Sequence, residues 1–407
     1  MSSYVIKREK VEQRQTADKD KVDHDKQKKY IDKKPDIVIN TNGDGSINIH
    51  SHTLFPEPAA IFQQSLSKIV YGGGEINEMF TVAKKCGNGG NTKLWYKYWD
   101  ALASKTFDDA QDRLSVNPVA ASKTFLRACT YFQTSSRFLF NCFDEKSIKQ
   151  LRNAYSCSDL AFNMAIPNLP YAMKKYLIPH TSKLIKNAIN SYFFCANQAL
   201  HGFKGAPLLI ATSGYYGDIA ETFFLSRGAI EYGFHLLIFD GPGTICERDE
   251  KTRQNEWEKK ALQMVINYVI DQRVIDLKDG IICYGMNTGG VPMILRNAMI
   301  ETRPIAYLID SIVPDVVESL HQKHLKKNSK LKPEEFEKLK VPVFICENGH
   351  EEHITYIKNV KKSLKKSIVQ KESNWVKSGA TNVISRELLW ENYIDKLLPL
   401  LKKKIKH

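Results

Sequence analysis

The stretch that decides the fold of this sequence runs from Gly280 to Met299. It begins with the apolar run Ile281-Ile282-Cys283-Tyr284, continues through Gly285-Met286-Asn287-Thr288-Gly289-Gly290, and ends in a helical pattern over Val291–Met299. A short run that is apolar at every position is typical of a strand buried on both faces. Glycines on either side of a central residue permit a tight turn, because they remove side chains that would clash there. The stretch therefore predicts a strand, a sharp turn and a helix in direct succession.

Strand-like apolar runs recur from about Gly205 onward and alternate with helical segments. Near-continuous apolar strands separated by helices predict an α/β fold with a mostly parallel sheet and helices on both faces. In such folds the functional residues gather at the carboxyl ends of the strands. The predicted strands are Pro207–Thr212, Phe234–Asp240, Gly280–Tyr284, Ile305–Asp310, Val341–Cys346 and Ser367–Gln370.

The composition changes along the chain and predicts three segments. Residues 1–45 are charged and poor in large apolar residues, so we expect disorder there. Residues 46–200 carry helical periodicity, with one face of a helix expected at Leu94, Tyr98, Leu102 and Ala103. Residues 201–407 hold the strand runs and form the predicted α/β core domain.

Charge and cysteine usage limit the classes of function. The net charge is +14, but the Lys-rich runs are interrupted by acids or Leu and lack the interleaved aromatics that stack on bases, so a nucleic-acid partner is disfavoured for this basic protein. No apolar run is long enough for a membrane span, and the charged N-terminal segment does not resemble a secretory leader. The eight cysteines are scattered singly, which predicts buried free thiols and a cytoplasmic location.

Six stretches of the sequence carry a resemblance to known proteins. They are Tyr71–Glu78, Trp95–Trp99, Phe125–Phe132, Pro207–Glu221, Phe239–Gly243 and Tyr284–Gly290. Together they resemble the α/β-hydrolases typified by dihydroxypseudooxynicotine hydrolase, the fermentation–respiration switch protein and fungal polyketide-shortening hydrolases. In those proteins a G-x-S-x-G turn, the nucleophile elbow, lifts a serine into the site.

The resemblance implies a role for several positions. The central elbow residue is Asn287, and its neighbour Thr288 lies at the start of the helix. The turn at Gly214 and Tyr215 would supply backbone N–H groups to an oxyanion, and Glu221 would either orient the substrate or cap the helix that follows.

The sequence departs from the family at the positions that carry the chemistry. Asn287 replaces the serine, and an amide nitrogen is not a usable nucleophile because its lone pair is delocalised. The acid expected after the seventh strand falls on Gly349, although Glu351 and Glu352 lie just beyond. No histidine occurs between Ser373 and Asn382, where the base belongs, and the only later one is His407.

Two histidines offer substitutes for the missing base. His350 and His353 flank Glu351 and Glu352 beyond the predicted strand Val341–Cys346. Either imidazole is a hypothetical relocated base, whereas solvated loop residues are the plainer interpretation. Their spacing without a third ligand is weak support for a metal, so neither a metal nor a cofactor is expected.

These observations leave three functional hypotheses open, and with them the question of whether the chain is an enzyme. The first is a protein that binds a small carbonyl or aromatic ligand with little or no hydrolytic activity. The second is an active hydrolase or lyase that cleaves ester or C–C bonds without a serine nucleophile. The third is a protein-interaction module. A small-molecule ligand is the expected partner, and the resemblance adds a homodimer as an expectation.

Overall fold

Eight strands of the described part of the chain form one sheet. The computed structural model describes residues 40–41, 47–48, 61–62, 65–86, 92–141, 144–179, 188–197, 205–213, 217–241, 254–310, 332–347, 354–365, 375–377 and 386–405. The strands are β1 (Met173–Ile178), β2 (Ile189–Phe194), β3 (Leu208–Thr212), β4 (His235–Phe239), β5 (Ile281–Met286), β6 (Ala306–Asp310), β7 (Val343–Glu347) and β8 (Trp375–Lys377). A separate pair of two-residue strands joins Asn40–Thr41 to Ile47–Asn48.

The order across the sheet is β8-β7-β6-β5-β3-β4-β2-β1. β2 runs antiparallel to both of its neighbours, and every other adjacent pair is parallel. The prediction of a mostly parallel sheet is therefore confirmed. The carboxyl ends of β3, β5, β6 and β7 lie side by side at one edge, which is the edge that the sequence indicated for the functional residues.

The strand predictions need two amendments. The sheet begins at Met173 and not at Pro207, because β1 and β2, inside the segment predicted to be helical, also belong to it. The predicted last strand, Ser367–Gln370, lies outside the described residues, and the last strand that the structure describes is β8 at Trp375–Lys377. The predicted disorder of residues 1–45 also lies outside the described residues, apart from Asn40 and Thr41.

Helices cover both faces of the sheet. Alternate side chains of each buried strand point to opposite faces, so Leu209 packs in one apolar cluster with α3, α5 and α10, while Ile210 packs in another with α7, α8 and α9. The helices are α1 (Ile76–Cys86), α2 (Thr92–Leu114), α3 (Pro118–Ser136), α4 (Glu145–Ala165), α5 (Ile219–Ser226), α6 (Gly228–Glu231), α7 (Gln254–Asp271), α8 (Asn287–Ala298), α9 (Ile354–Leu364) and α10 (Arg386–Ile405). Short 3-10 helices span Ile69–Tyr71, Arg137–Asn141, Ile166–Asn168, Leu277–Asp279 and Pro333–Lys338.

Local sequence explains where the helices before the sheet begin. Asn117 caps α3 by accepting a hydrogen bond from the backbone N–H of Ala120 at 3.0 Å, and Pro118 occupies the first helical position, where its missing N–H costs nothing. Asp144 caps α4 in the same way through Ser147. The helical pattern predicted for this region is thus confirmed in α1 to α4.

The buried face of α2 differs from the predicted one. Of the predicted face, Ala103 is buried, but Leu94, Tyr98 and Leu102 are only partly buried. Trp95 and Trp99 are buried beside Ala103 on the same side of the helix. The two indole rings pack together with their centroids 5.5 Å apart. The buried face of α2 is therefore the one that carries its largest apolar surfaces. None of the described helices is long and apolar enough to cross a membrane.

Candidate functional site

The turn between β5 and α8 has the predicted strand–turn–helix form. β5 ends at Met286, and α8 begins at the next residue, Asn287. A Cβ atom on Gly285 would lie 2.5 Å from the carbonyl oxygen of Gly290 and 2.6 Å from Cγ1 of Ile294, so only glycine fits at this position. Glycine at position 285 is therefore required by the geometry of the turn.

The first turn of α8 is fixed to the end of β3. The backbone N–H of Gly290 donates to the carbonyl oxygen of Ser213 at 3.0 Å, and a Cβ on Gly290 would overlap the carbonyl oxygen of Thr212. Ser213 directly precedes Gly214 and Tyr215, the predicted oxyanion donors. The first turn of α8 is therefore joined through the backbone to the residue directly before the predicted oxyanion loop.

The side chains of several predicted site residues lie outside the described part of the chain. This holds for Asn287 and Thr288, whose backbones open α8, and for the whole of Gly214 and Tyr215. It also holds for the loop that contains His350, Glu351 and His353. Their roles stay predictions.

The far end of the loop after β3 is held by Asp218, whose side chain is buried. Asp218 caps α5 by accepting from the backbone N–H of Glu221 at 2.6 Å. Gln133 of α3 donates to its two carboxylate oxygens at 2.7 and 2.9 Å, and Ser158 of α4 donates at 3.2 Å. Burial, followed by the charge of Glu221, raises the pKa of Asp218 above its ordinary value. Helices from before the sheet thus position the residue at which the loop ends.

Glu221 lies in a group that we call the buried ion cluster: Lys68, Gln133, Arg137, Asp218 and Glu221. Its carboxylate forms ion pairs with Arg137 and, at 3.6 Å, with Lys68, whose ammonium also donates to Gln133 at 2.6 Å. Although burial opposes it, the two cations hold the pKa of Glu221 below its usual range. For Lys68 burial is the dominant cause, and it lowers the pKa of the ammonium group although the charge of Glu221 acts to raise it. Of the two roles predicted for Glu221, the helix cap is wrong, because Asp218 is the cap.

One carboxylate near the elbow was not singled out from the sequence. Asp310 is the last residue of β6, is buried, and lies opposite Met286 in the register of β5 and β6. The hydroxyl of Tyr284 donates to its Oδ2 at 3.0 Å. A single aspartate at a strand end gives no local signal, so only the register of the sheet places it beside the elbow.

Asp240 and Cys283, which lie in two of the predicted strands, have contacts that explain them by the fold alone. Asp240, which ends the predicted strand Phe234–Asp240, accepts a hydrogen bond from Asn190 of β2 at 3.3 Å. Cys283 is a buried strand residue, as predicted, and burial raises the pKa of its thiol. Within the described residues, no group of three or more metal-ligating side chains comes together.

One comparison with known proteins found no match, and another supports the fold. No protein-family profile matches the chain. The crystal structure of 2,6-dihydroxy-pseudo-oxynicotine hydrolase superposes with a TM-score of 0.58 at 16% identity, covering 83% of this chain and 93% of that one. At that identity the likeness shows the fold.

Two fungal relatives match in sequence. The chain is 27% identical over 243 residues to hydrolase acrC of Aspergillus aculeatus, a match that covers 56% of each protein. It is 26% identical over 236 residues to a 20-hydroxy-prefusarin hydrolase of Gibberella moniliformis, covering 56% of this chain and 54% of that protein. The matches therefore span about half the length of these curated relatives.

Fold and site together define an α/β-hydrolase-fold protein. The strand order, the antiparallel β2, the glycine-dependent elbow after β5 and the helices on both faces all fit that class. Within the class, the chain resembles the pseudo-oxynicotine enzyme in fold and the two fungal hydrolases in sequence.

Proposed function

We propose that this protein binds a small carbonyl or aromatic ligand at the carboxyl edge of the sheet and hydrolyses it slowly or not at all. The observation that carries the proposal is the contrast between a retained elbow backbone and the residues placed on it. Gly285 and Gly290 keep the close approach that the turn requires, yet Asn287 stands at the nucleophile position. No histidine follows β8 except His407.

A site with this backbone can still polarise a bound carbonyl group without a nucleophile. Backbone N–H groups at the start of α8 and in the loop after β3 would stabilise negative charge on a carbonyl oxygen, because such donors act through position and dipole alone. Removal of all triad members from a hydrolase leaves part of its rate enhancement, which comes from oxyanion stabilisation and binding. Polarised binding of a carbonyl is therefore what this framework supports best.

A fluorophosphonate probe and activated aryl esters test the proposal. We expect no covalent labelling of the native protein, and slow ester turnover that is the same in Asn287→Ala. Asn287→Ser tests whether a hydroxyl alone restores labelling; without a base we expect little. Native turnover that Asn287→Ala abolishes would contradict the proposal and establish a catalytic role for the amide.

The names of the relatives favour one second candidate, an active hydrolase or lyase with a non-serine mechanism. Both fungal proteins are called hydrolases. In this scheme Asn287 and Thr288 polarise the carbonyl, and His350 or a glutamate such as Glu351 is the base. His350→Gln, His353→Gln and Glu351→Gln distinguish the two proposals, because turnover should fall in one of them only if that side chain takes up a proton. A homodimer and a cytoplasmic location stay predictions that size-exclusion with light scattering and cell fractionation would check.

A further inference from the structure

Most of the net positive charge of the chain lies in residues 354–407. These residues contain thirteen Lys and Arg against four Asp and Glu, so they contribute nine of the fourteen net positive charges. In the described structure they include α9 and α10, which pack on opposite faces of the sheet. The places where these two helices end therefore decide where the charge gathers on the molecule.

The lysines of α9 lie on one face of the helix. Val360 and Leu364 are buried in the apolar cluster beneath the helix, whereas Lys358, Lys362 and Lys365 are exposed. Residues spaced by four and three positions share a face, and here that face is opposite the buried one. Like charges at this spacing repel and destabilise a helix. None of the three lysines pairs with an acid among the described residues, so an anionic partner would remove the repulsion.

The helices α8, α9 and α10 end at the edge of the sheet opposite the elbow, which we call the amino edge because β5, β6 and β7 begin there. A Cβ atom on Gly280, just before β5, would lie 3.2 Å from Cδ2 of Leu401 in α10. The backbone N–H of Lys340, shortly before β7, donates to the carbonyl oxygen of Ala298 in α8 at 3.3 Å. α9 packs against the 3-10 helix Pro333–Lys338, which also precedes β7.

Four exposed residues at or near these helix ends form a group that we call the basic edge: Ile300, Lys362, Lys365 and Lys402. The three lysines are exposed, and none pairs with an acid among the described residues. Ile300 follows α8 and is 54% exposed, which is unusual for a large apolar side chain. The basic edge thus combines uncompensated positive charge with an apolar side chain that faces solvent.

Acidic side chains near the amino edge do not offset this charge. Glu301 pairs with Arg303 and Asp276 pairs with Lys278, each at 2.6 Å. The 3-10 helix Pro333–Lys338 carries three glutamates, and lysines 332, 338 and 340 match them in number. The three acids of α10, at positions 387, 391 and 395, all precede its lysines. The excess charge is therefore that of α9 and of the last turns of α10.

The residue types of the basic edge favour a lipid surface over a nucleic acid. Lysine is a compact point charge that needs no defined partner geometry, whereas arginine and aromatic side chains are preferred for recognition of nucleic acids. Clusters of lysines are attracted to anionic lipid headgroups, and an exposed apolar side chain beside them can enter the headgroup region.

We propose that the basic edge docks on an anionic lipid surface. Since the elbow lies at the opposite edge of the sheet, the candidate site then faces away from the bilayer and stays open to ligands from water. The inference does not depend on the proposed carbonyl binding, so either can fail without the other.

Cosedimentation with vesicles tests the docking. Phosphatidylcholine vesicles are compared with and without about 30% phosphatidylserine, at a salt concentration of about 0.15 M. We expect the native protein to bind only the anionic vesicles. The combined variant Lys362→Gln, Lys365→Gln and Lys402→Gln should bind them about a hundredfold more weakly, because each lysine near such a surface contributes roughly fivefold. Ile300→Ser should weaken binding by about threefold or more through loss of apolar contact.

The matched control combines Lys123→Gln, Lys146→Gln and Lys149→Gln. These lysines are exposed on α3 and α4, and their removal lowers the net charge by the same amount. The proposal is overturned if the native protein binds both kinds of vesicle alike, if the basic-edge variant keeps its binding, or if the control loses binding equally. Far-ultraviolet circular dichroism checks folding. If the combined variant is unfolded, the three single variants decide in its place, each with an expected loss of about fivefold.

A duplex DNA of about 20 base pairs distinguishes a lipid surface from a nucleic-acid surface. We expect the native protein to bind this duplex more weakly than the anionic vesicles, and Ile300→Ser to leave the binding of DNA unchanged. If the duplex binds as tightly as the vesicles, or if Ile300→Ser binds the vesicles as the native protein does, the basic edge is a general polyanion surface and the lipid assignment is overturned.

Discussion

Removal of the negative charge at Glu221 should destabilise the fold more than any surface change. In Glu221→Gln, the shape of the side chain is kept, but Arg137 and Lys68 lose the carboxylate with which they pair. The side chains of Lys68 and Glu221 are 3% and 5% exposed, so water cannot replace the lost partner. Breaking a buried ion pair from one side typically costs 3–5 kcal/mol. We expect about 3 kcal/mol here, because Arg137 is 17% exposed and part of its charge can be solvated.

Urea unfolding followed by far-ultraviolet circular dichroism measures this loss. The control is Asp109→Asn, which breaks the exposed Lys105–Asp109 pair at 2.7 Å, and which should cost less than about 0.5 kcal/mol. Combining Glu221→Gln with Lys68→Met should recover part of the loss, since the unpaired ammonium is then absent. A loss below about 1 kcal/mol in Glu221→Gln, or no recovery in the double variant, would refute the reasoning from burial and charge.

Three further changes follow from the described contacts. Gly285→Ala should destabilise the protein by about 1–3 kcal/mol in urea unfolding, because the new Cβ would meet the backbone oxygen of Gly290; a loss below about 0.5 kcal/mol would show that the turn can adjust. Asn117→Ala should cost about 1 kcal/mol in the same assay through loss of the α3 cap, and an unchanged midpoint would contradict that role. The Nδ1 atom of His235 accepts a hydrogen bond from the backbone N–H of Ala196 at 3.0 Å, and burial lowers the pKa of His235. Its contribution to the free energy of unfolding is therefore complete above the unfolded pKa of about 6.5. That contribution is lost as the pH falls through the lower folded pKa. His235→Asn should flatten the dependence of the unfolding free energy on pH below 6.5, and a profile identical to that of the native protein would exclude His235 as its source.

The sequence predicts most of the sheet because local pattern determines it. Apolar runs buried on both faces are continuous in the sequence, and the run before Gly285 becomes β5 as expected. β1 was not predicted, because its sequence lacks such a continuous apolar run. Its sequence Met173-Lys174-Lys175-Tyr176-Leu177-Ile178 lies at the sheet edge, pairs with β2 alone among the described strands, and exposes its lysines. An edge strand of that kind lacks the continuous apolar pattern of a central one.

The contacts of the buried ion cluster could not be predicted from sequence patterns, because they join residues that are far apart in the chain. Gln133 and Asp218 are 85 residues apart, and Arg137 and Glu221 are 84 apart. No periodicity links such pairs, and a buried lysine such as Lys68 looks in the sequence like any surface lysine. Burial turns these ordinary polar residues into determinants of the position of Asp218 and Glu221 at the start of α5, because each becomes costly to leave without its partner.

The elbow and the ion cluster bear on function in different ways. Glycine at position 285 is required for packing, so by itself it argues for the fold, and the proposed binding depends on the backbone N–H groups that the turn places at the start of α8. The position of Asp218 is different, because it ends the loop of the predicted oxyanion donors and is held by Gln133 and Ser158 from two separate helices. Donors fixed at a loop stabilise charge only if the loop does not have to reorganise when the ligand binds. The support that two helices give to Asp218 therefore agrees with the proposed binding of a polarised carbonyl at this edge of the sheet.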